Sequence, residues 1–332
     1  MKNNTQIRLI IFVVIVSFIL ISCNMPTKDM PTSVLYSDIN IVSIDGSGHR
    51  VILGDRSYSS NILPTKYGII YENGNFSLYT MNYDGSNQSR LYPNISWGDR
   101  FFSLDESKIL LASGLFENSQ YLNNLYLMNS DGSNLVPLAP GKGQYGYPHI
   151  SPNLDEIVFY RDGGIATINV DGTNLQYIRI KTDSTNCTYD LYVDEDRILY
   201  FEHTNSISSI RLFDKTNHQD KLIGTLSAGF PEYGRVLVNG KLLFADLGMI
   251  KVLDIYASST ITLTQGFYAS YSFDGSKIVY SNGRSICTMN GNGSNQQTIY
   301  TEQDSTKSIG YPQFSVDDKI IIFTTSYTVI TP

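Results

Sequence analysis

One short motif recurs down the chain at a nearly constant interval, and that interval restricts the fold more than any other feature. Its clearest copy is Asn124–Leu138. An apolar run leads into the polar turn Asn129-Ser130-Asp131-Gly132-Ser133-Asn134, and a second short apolar run follows. Asp-Gly between two such runs signals a hairpin, because the turn needs positive φ and these residues tolerate it. Related turns are Ile44-Asp45-Gly46-Ser47, Asn82-Tyr83-Asp84-Gly85-Ser86-Asn87, Asn169-Val170-Asp171-Gly172-Thr173-Asn174 and Asn290-Gly291-Asn292-Gly293-Ser294-Asn295. Weaker copies are Phe213-Asp214-Lys215-Thr216-Asn217 and Leu253-Asp254-Ile255-Tyr256. Anchors at Asp45, Asp84, Asp131, Asp171, Asp214, Asp254 and Asn292 stand 39, 47, 40, 43, 40 and 38 residues apart.

A second signature precedes most anchors: an aromatic or proline start, a Ser/Asp-rich turn, then an apolar strand. Examples are Tyr147-Pro148-His149-Ile150-Ser151-Pro152-Asn153, Tyr271-Ser272-Phe273-Asp274-Gly275-Ser276 and Tyr311-Pro312-Gln313-Phe314-Ser315-Val316-Asp317-Asp318. It reads as strands a and b, and the Asp-Gly hairpin supplies strands c and d. Four strands per repeat of about 40 residues predict an all-β fold, a β-propeller with one blade per repeat. The abundance of tyrosine (24 of 332 residues) and the lack of sustained helical periodicity after the N-terminus agree with all-β. The chain opens on a c–d hairpin (Ile39–Leu53) and ends on an a–b hairpin (Gln313–Thr324). Joined as one composite blade, these would close the ring and leave no exposed sheet edge. The count is then seven blades, with six and an irregular end as the alternative.

The repeat resembles that of the TolB-type propeller family, roughly W-S-P-D-G-x-x-I-x-F followed by I-Y-x-M-(N/D)-x-D-G. The matching residues are Ile150-Ser151-Pro152 with Ile157-Val158-Phe159, and Leu125-Tyr126-Leu127-Met128-Asn129 with Asp131-Gly132. The resemblance covers nearly everything after about residue 33, and it implies fold rather than any one partner. The family's namesake carries a separate N-terminal domain, whereas this chain enters its first c–d hairpin almost at once. Rings of this family usually have six blades.

Residues 1–22 read as a bacterial export signal, with Lys2 and Arg8 ahead of the 13-residue apolar run Leu9–Ile21. That run is short of the roughly 20 residues a spanning helix needs. It ends Leu20-Ile21-Ser22-Cys23, which resembles a lipobox. The resemblance implies cleavage before Cys23 and a lipid, palmitate among its chains, on that cysteine. Residues 23–32 are then a polar, Pro-containing tether, and 33–332 a single propeller domain. The expected location is the cell envelope. By resemblance to Gram-negative sorting rules, Asn24 after the cysteine favours the outer membrane; otherwise the lipid would hold the chain on the cell membrane surface.

The net charge of −7 becomes −9 once Lys2 and Arg8 leave with the signal, since residues 1–22 hold no acid. An acidic chain with no basic cluster is a poor ligand for nucleic acid. Cys187 and Cys287 fall on blades that are not neighbours, so a bridge between them is not expected. The four histidines show no metal spacing, and the N-x-D-G-S-N turns lack the distal Glu of a calcium loop. No metal or cofactor is expected. There is no G-x-S-x-G elbow, and no added hydrolase domain of the kind propeller peptidases carry. Asp194-Glu195-Asp196 and Asp317-Asp318 read as solvated a–b turns.

The chemistry that remains is aromatic. Tyr147, Phe230, Tyr268 and Tyr311 begin strand a in their blades, beside His149, and strand a lines a propeller's channel. They are expected to ring its mouth, where aromatics stack on sugars or grip peptides. Two long loops, Ala112–Asn124 (Phe116, Glu117, Tyr121) and Ala139–Gly146 (Lys142, Gln144, Tyr145), are expected on the same face. The reading is a lipid-anchored, monomeric, non-enzymatic module binding an envelope protein, peptide or glycan. The alternative is a glycan-active or lyase-type enzyme using His149, Arg161 and Asp162.

Overall fold

The computed structural model describes residues 32–331 apart from 58–61, 74–76, 93–98, 103–106, 118–119, 139–144, 180–185, 204–207 and 227–236. It is a seven-bladed β-propeller, each blade an antiparallel sheet of four strands, a to d, from the centre outward. The first strand of each of blades 1 to 6 is Ile62–Thr65, Asp99–Phe102, Tyr145–Ile150, Asn186–Tyr192, Leu237–Val238 and Phe267–Tyr271.

Blade 7 is the composite. Its a and b strands are Ser308–Phe314 and Ile320–Thr331, its c and d strands Thr32–Ser43 and Arg50–Ser57. Strands b and c pair residue for residue from Thr32↔Thr331 to Ser43↔Ile320. The two ends of the chain thus supply one sheet, and both b and c gain the partner they would otherwise lack.

Strand b explains why the ring is stable. In all seven blades it reads as a near-continuous apolar run: Ile69-Ile70-Tyr71, Ile109-Leu110-Leu111, Ile157-Val158-Phe159, Ile198-Leu199-Tyr200-Phe201, Leu242-Leu243-Phe244, Ile278-Val279-Tyr280 and Ile321-Ile322-Phe323. Successive side chains on a strand point to opposite faces. A strand covered on both faces must therefore be apolar at every position, not at alternate ones. Ile157 packs toward blade 2 with Leu110 and Leu125, and Val158 toward blade 4 with Ile198 and Tyr200. The same handover occurs at Ile69/Ile70, Ile109/Leu110, Ile198/Leu199, Leu242/Leu243, Ile278/Val279 and Ile321/Ile322. The core is seven apolar layers, one between each pair of neighbouring blades.

The recurring turns have a local cause. In each c–d turn the anchor side chain accepts from the backbone N–H two residues on, as Asp171 Oδ1 does from Thr173 at 2.9 Å and Asn292 Oδ1 from Ser294 at 3.0 Å. In most copies the Ser or Thr hydroxyl there also donates to it. Even the weak copies comply: Asp214 receives Thr216, and Asp254 receives Tyr256 and Ala257. The turn glycines have a second reason besides positive φ. A Cβ on Gly172 would stand 2.7 Å from the Leu138 carbonyl oxygen of the preceding blade, and one on Gly85 2.6 Å from that of Ile52. The a–b turns use a buried serine: Ser151, Ser272 and Ser315 each accept the backbone N–H five residues on.

One expectation is corrected. Ala112–Asn124 is no loop. Strands b and c of blade 2, Lys108–Glu117 and Gln120–Asn129, continue through it as a hairpin ribbon with Phe116↔Tyr121 and Glu117↔Gln120 in register. The paired backbone, which satisfies the N–H and C=O groups of both arms, outweighs its Gly, Ser and Asn content.

Candidate functional site

In each blade, strand a begins on the face that carries the d–a and b–c connections, and the a–b and c–d turns occupy the other face. Asp194-Glu195-Asp196 and Asp317-Asp318 lie in a–b turns, away from the mouth. They are engaged there: Asp194 pairs with Arg197, and Asp318 Oδ1 accepts the Phe273 N–H of the neighbouring blade at 2.9 Å.

Tyr147, Tyr268 and Tyr311 occupy one equivalent position, and the backbone there is unusual. All three have left-handed φ, 48°, 54° and 51°. In each blade the a–b register jumps at this point. Gly146↔Tyr160 is followed by His149↔Val158, Phe267↔Ser281 by Ser270↔Val279, and Gly310↔Thr324 by Gln313↔Ile322. Two residues of strand a then oppose one of strand b, which defines a β-bulge. A bulky L-residue at positive φ costs about 1–2 kcal/mol. The same cost recurs in three blades, at the tyrosine near the start of strand a. Bulges and such backbone outliers concentrate at binding and active sites.

The Tyr268 and Tyr311 rings, on adjacent blades, meet at 4.5 Å with planes tilted 45°. Tyr147, on blade 3, meets Tyr160 edge-on at 6.4 Å. All three are half-buried, so part of each ring faces solvent. Phe230 lies outside the described residues, as do Lys142 and Gln144. The bulge itself escaped the sequence reading. Its signal in two of the three blades is the repeated Gly-Tyr-Pro of Gly146-Tyr147-Pro148 and Gly310-Tyr311-Pro312, which Phe267-Tyr268-Ala269 lacks.

His149 sits two residues beyond Tyr147 on strand a. It is half-buried by surface area, yet burial alone pushes its imidazole down to about 3 and keeps it neutral. Arg161 and Asp162 stand at the b–c turn of blade 3, paired at 3.7 Å. The Arg161 guanidinium also lies over the rings of Tyr145 (5.3 Å) and Tyr177 (5.7 Å). Tyr145 pairs with Arg161 across the sheet and stacks on Phe159. Arg161 is thus placed against aromatic rings at the rim.

Among the described residues no three His, Cys, Asp or Glu side chains stand close enough to hold a metal ion. The c–d carboxylates are occupied by their own turns. At Asp171 the Thr173 hydroxyl, and then the Thr173 amide, hold the carboxyl below its usual range. Cys287 is a free, buried thiol on blade 6, and Cys187 lies on blade 4 with blade 5 between them.

No family model matches the sequence, and no curated protein matches it either. Solved structures match the fold. A puromycin-hydrolyzing peptidase from Mycobacterium tuberculosis aligns with a TM-score of 0.61 at 13% identity, over 83% of this chain and 54% of that one. An oligogalacturonate lyase from Vibrio parahaemolyticus aligns at 0.57 and 10%, over 90% and 98%. TolB from Acinetobacter baumannii aligns at 0.52 and 16%, over 84% and 66%. At such identities these likenesses establish the propeller fold alone.

Proposed function

We propose that the chain is an exported lipoprotein, held in the cell envelope through a lipid on Cys23, whose propeller is a non-enzymatic binding module for an envelope protein, peptide or glycan. The observation that carries this reading is the trio Tyr147, Tyr268 and Tyr311. Backbone strain repeated at one structural position in three blades serves to aim aromatic rings at the mouth, and half-exposed rings there supply stacking surface. The lipobox Leu20-Ile21-Ser22-Cys23 supports the anchor. The charge of −9 after cleavage argues against nucleic acid as partner. Similar folds carry lyase, peptidase and TolB names, so fold does not choose between binding and catalysis. The candidate catalytic groups favour binding: a neutral His149 of depressed basicity is a weak general base, and Arg161 is already engaged by two rings and Asp162.

The test is affinity capture from envelope extract, together with a glycan array, on immobilised wild-type chain and on a Tyr147→Ala/Tyr311→Ala variant. One species retained by wild type and lost from the variant supports the reading. Equal retention by both moves the site off the mouth. Turnover of an array glycan would replace it with the enzymatic reading.

A further inference from the structure

Both ends of the described chain emerge on the mouth face. Strand b of blade 7 runs up to Thr331 and strand c runs down from Thr32, so the pair Thr32↔Thr331 stands where the other blades place their b–c turns. Eight residues lie between Cys23 and Thr32, so the nine steps reach at most about 30 Å when extended.

The same face carries a crescent of exposed apolar side chains on three consecutive blades. Of the large exposed hydrophobics among the described residues, Val51, Val136, Leu175, Tyr177, Leu222 and Ile261 are scattered round the outer strands, as is ordinary. Tyr67 and Tyr256 lie on the opposite face, each beside a cation, Lys66 and Arg197. The remaining five are Leu247 on blade 5, Phe267 on blade 6, and Leu35, Val329 and Ile330 on blade 7, all at the mouth-face end. Leu247 is 71% exposed and Ile330 67%.

Leu247 is costly in two ways. It takes φ 52° at the first place of the two-residue b–c turn Leu247-Gly248, where the equivalent turn of blade 3 uses Asp162-Gly163. An aspartate suits that backbone and water; a leucine suits neither. Phe267 lies alongside, its ring 3.6 Å from where a Cβ on Gly248 would stand. Beside the crescent Lys251 pairs with Asp246 and Lys307 with Asp38, each at 2.7 Å. Arg284, Glu302 and Asp304 also lie on this face, so the apolar tips alone, and not the whole face, suit a cover of low polarity.

We propose that this crescent rests on the lipid bilayer, with Leu247, Phe267 and Ile330 dipping into its interface and the channel mouth held close to the membrane surface. The inference rests on the lipid anchor of the preceding section. The tether enters on this face, which presents it to the bilayer, and the apolar tips set an orientation that a lipid on Cys23 alone does not. With a net charge of −9, attraction to anionic lipid is not the driver, so docking on zwitterionic vesicles is insensitive to salt.

The test places a tryptophan reporter at Phe267→Trp or, on the opposite face, at Tyr67→Trp, each with Trp97→Phe. The intact acylated chain is reconstituted into zwitterionic vesicles with brominated acyl chains, and its mass reports the lipid on Cys23. Docking predicts at least twofold stronger quenching at position 267 than at 67, unchanged between low and high salt. Added Leu247→Ser and Ile330→Ser are expected to abolish the difference while the thermal unfolding curve is retained. A lipid-bearing chain with equal quenching at both positions overturns the docking and leaves the anchor standing. A mass without lipid overturns the anchor and, with it, this inference. Blue-shifted emission at 267 that depends on protein concentration and needs no vesicles would assign the crescent to a second copy and also overturn it.

Discussion

The rings of Tyr268 and Tyr311 meet at 4.5 Å across the seam between blades 6 and 7, although each hangs from a left-handed backbone that bulky residues rarely adopt. Two unfavourable conformations are thus joined by one favourable contact at the mouth of the channel. The surrounding bulge is well anchored: the Thr324 hydroxyl donates to the Gly310 carbonyl at 3.1 Å.

Strain at this position is measurable by exchanging one residue for two others. Glycine accepts φ 51° freely and alanine does not, while both lose the ring. Tyr311→Gly is therefore expected to be more stable than Tyr311→Ala by about 1 kcal/mol. Denaturant unfolding midpoints decide it. Equal stability, or alanine the better of the two, would mean the tyrosine backbone is not strained.

The turn glycines give a second comparison. Gly172→Ala adds a Cβ 2.7 Å from the Leu138 carbonyl oxygen, at φ 82°. Gly283→Ala meets nothing within 4 Å, at φ 68°. The second substitution is expected to cost about 1 kcal/mol from backbone conformation alone. The first is expected to cost clearly more, because one blade must move away from the next. Thermal melts of the two variants should be well separated, and matching melts would contradict the close approach of blades 2 and 3.

Ring closure has its own ion pair. Asp38, buried on strand c of the composite blade, accepts Lys307 at 2.7 Å and lies close to the hydroxyls of Thr325 and Tyr327. Lys307→Ala leaves that carboxylate without its cation and is expected to cost about 3 kcal/mol. Lys307→Ala combined with Asp38→Asn should recover much of the loss. At Lys307 burial works to lower the pKa, but the hydrogen bond and charge of Asp38, with Glu302 and Asp304, outweigh it and raise the pKa. A raised folded value means this stabilisation is complete below the ordinary lysine range and is lost as pH climbs through the folded one. The wild-type unfolding midpoint should thus fall more steeply above pH 10.5 than that of the double variant.

His149 governs the acid side. Its folded pKa of about 3 lies below the ordinary 6.5, so between those values the unfolded chain binds a proton that the folded chain refuses. Stability is expected to be complete above pH 6.5 and to decline as pH falls toward 3, and His149→Asn should flatten the upper part of that decline. Burial also lowers the pKa of His49 and His203, so the window from 6.5 to 5 reads all three imidazoles, and the difference there between wild type and His149→Asn is what belongs to His149. An unchanged slope there in His149→Asn would show that the imidazole is not enclosed.

Much of the architecture was legible because the residues that set it act locally or by simple period. An Asp accepting the amide two residues on makes a turn wherever it stands, so even Asp214 and Asp254 marked their blades. The doubly covered strand b announced itself as Ile-Val-Phe or Ile-Ile-Ile-Phe. The end fragments Ile39–Leu53 and Gln313–Thr324 were complementary halves, and closure followed. Features that depend on neighbours in space were not legible. Nothing near Tyr268 tells that its ring meets Tyr311, 43 residues on. The ribbon at Phe116 and Tyr121 read as a loop because its pairing outweighs its composition. The apolar crescent draws on Leu35, Leu247, Phe267 and Ile330, which only the ring brings to one side.

The central claim is that the mouth tyrosines bind. The most direct measurement is calorimetric titration of the captured ligand into wild type, Tyr268→Ala, Tyr311→Ala and the double variant, with unfolding midpoints recorded alongside. The account predicts at least about fivefold weaker binding for each single variant, in line with about 1–3 kcal/mol per stacked ring. The double variant should lose less than the sum of the two, because the rings touch. Affinities equal to wild type in variants that remain folded would contradict the account and place the binding surface elsewhere on the ring.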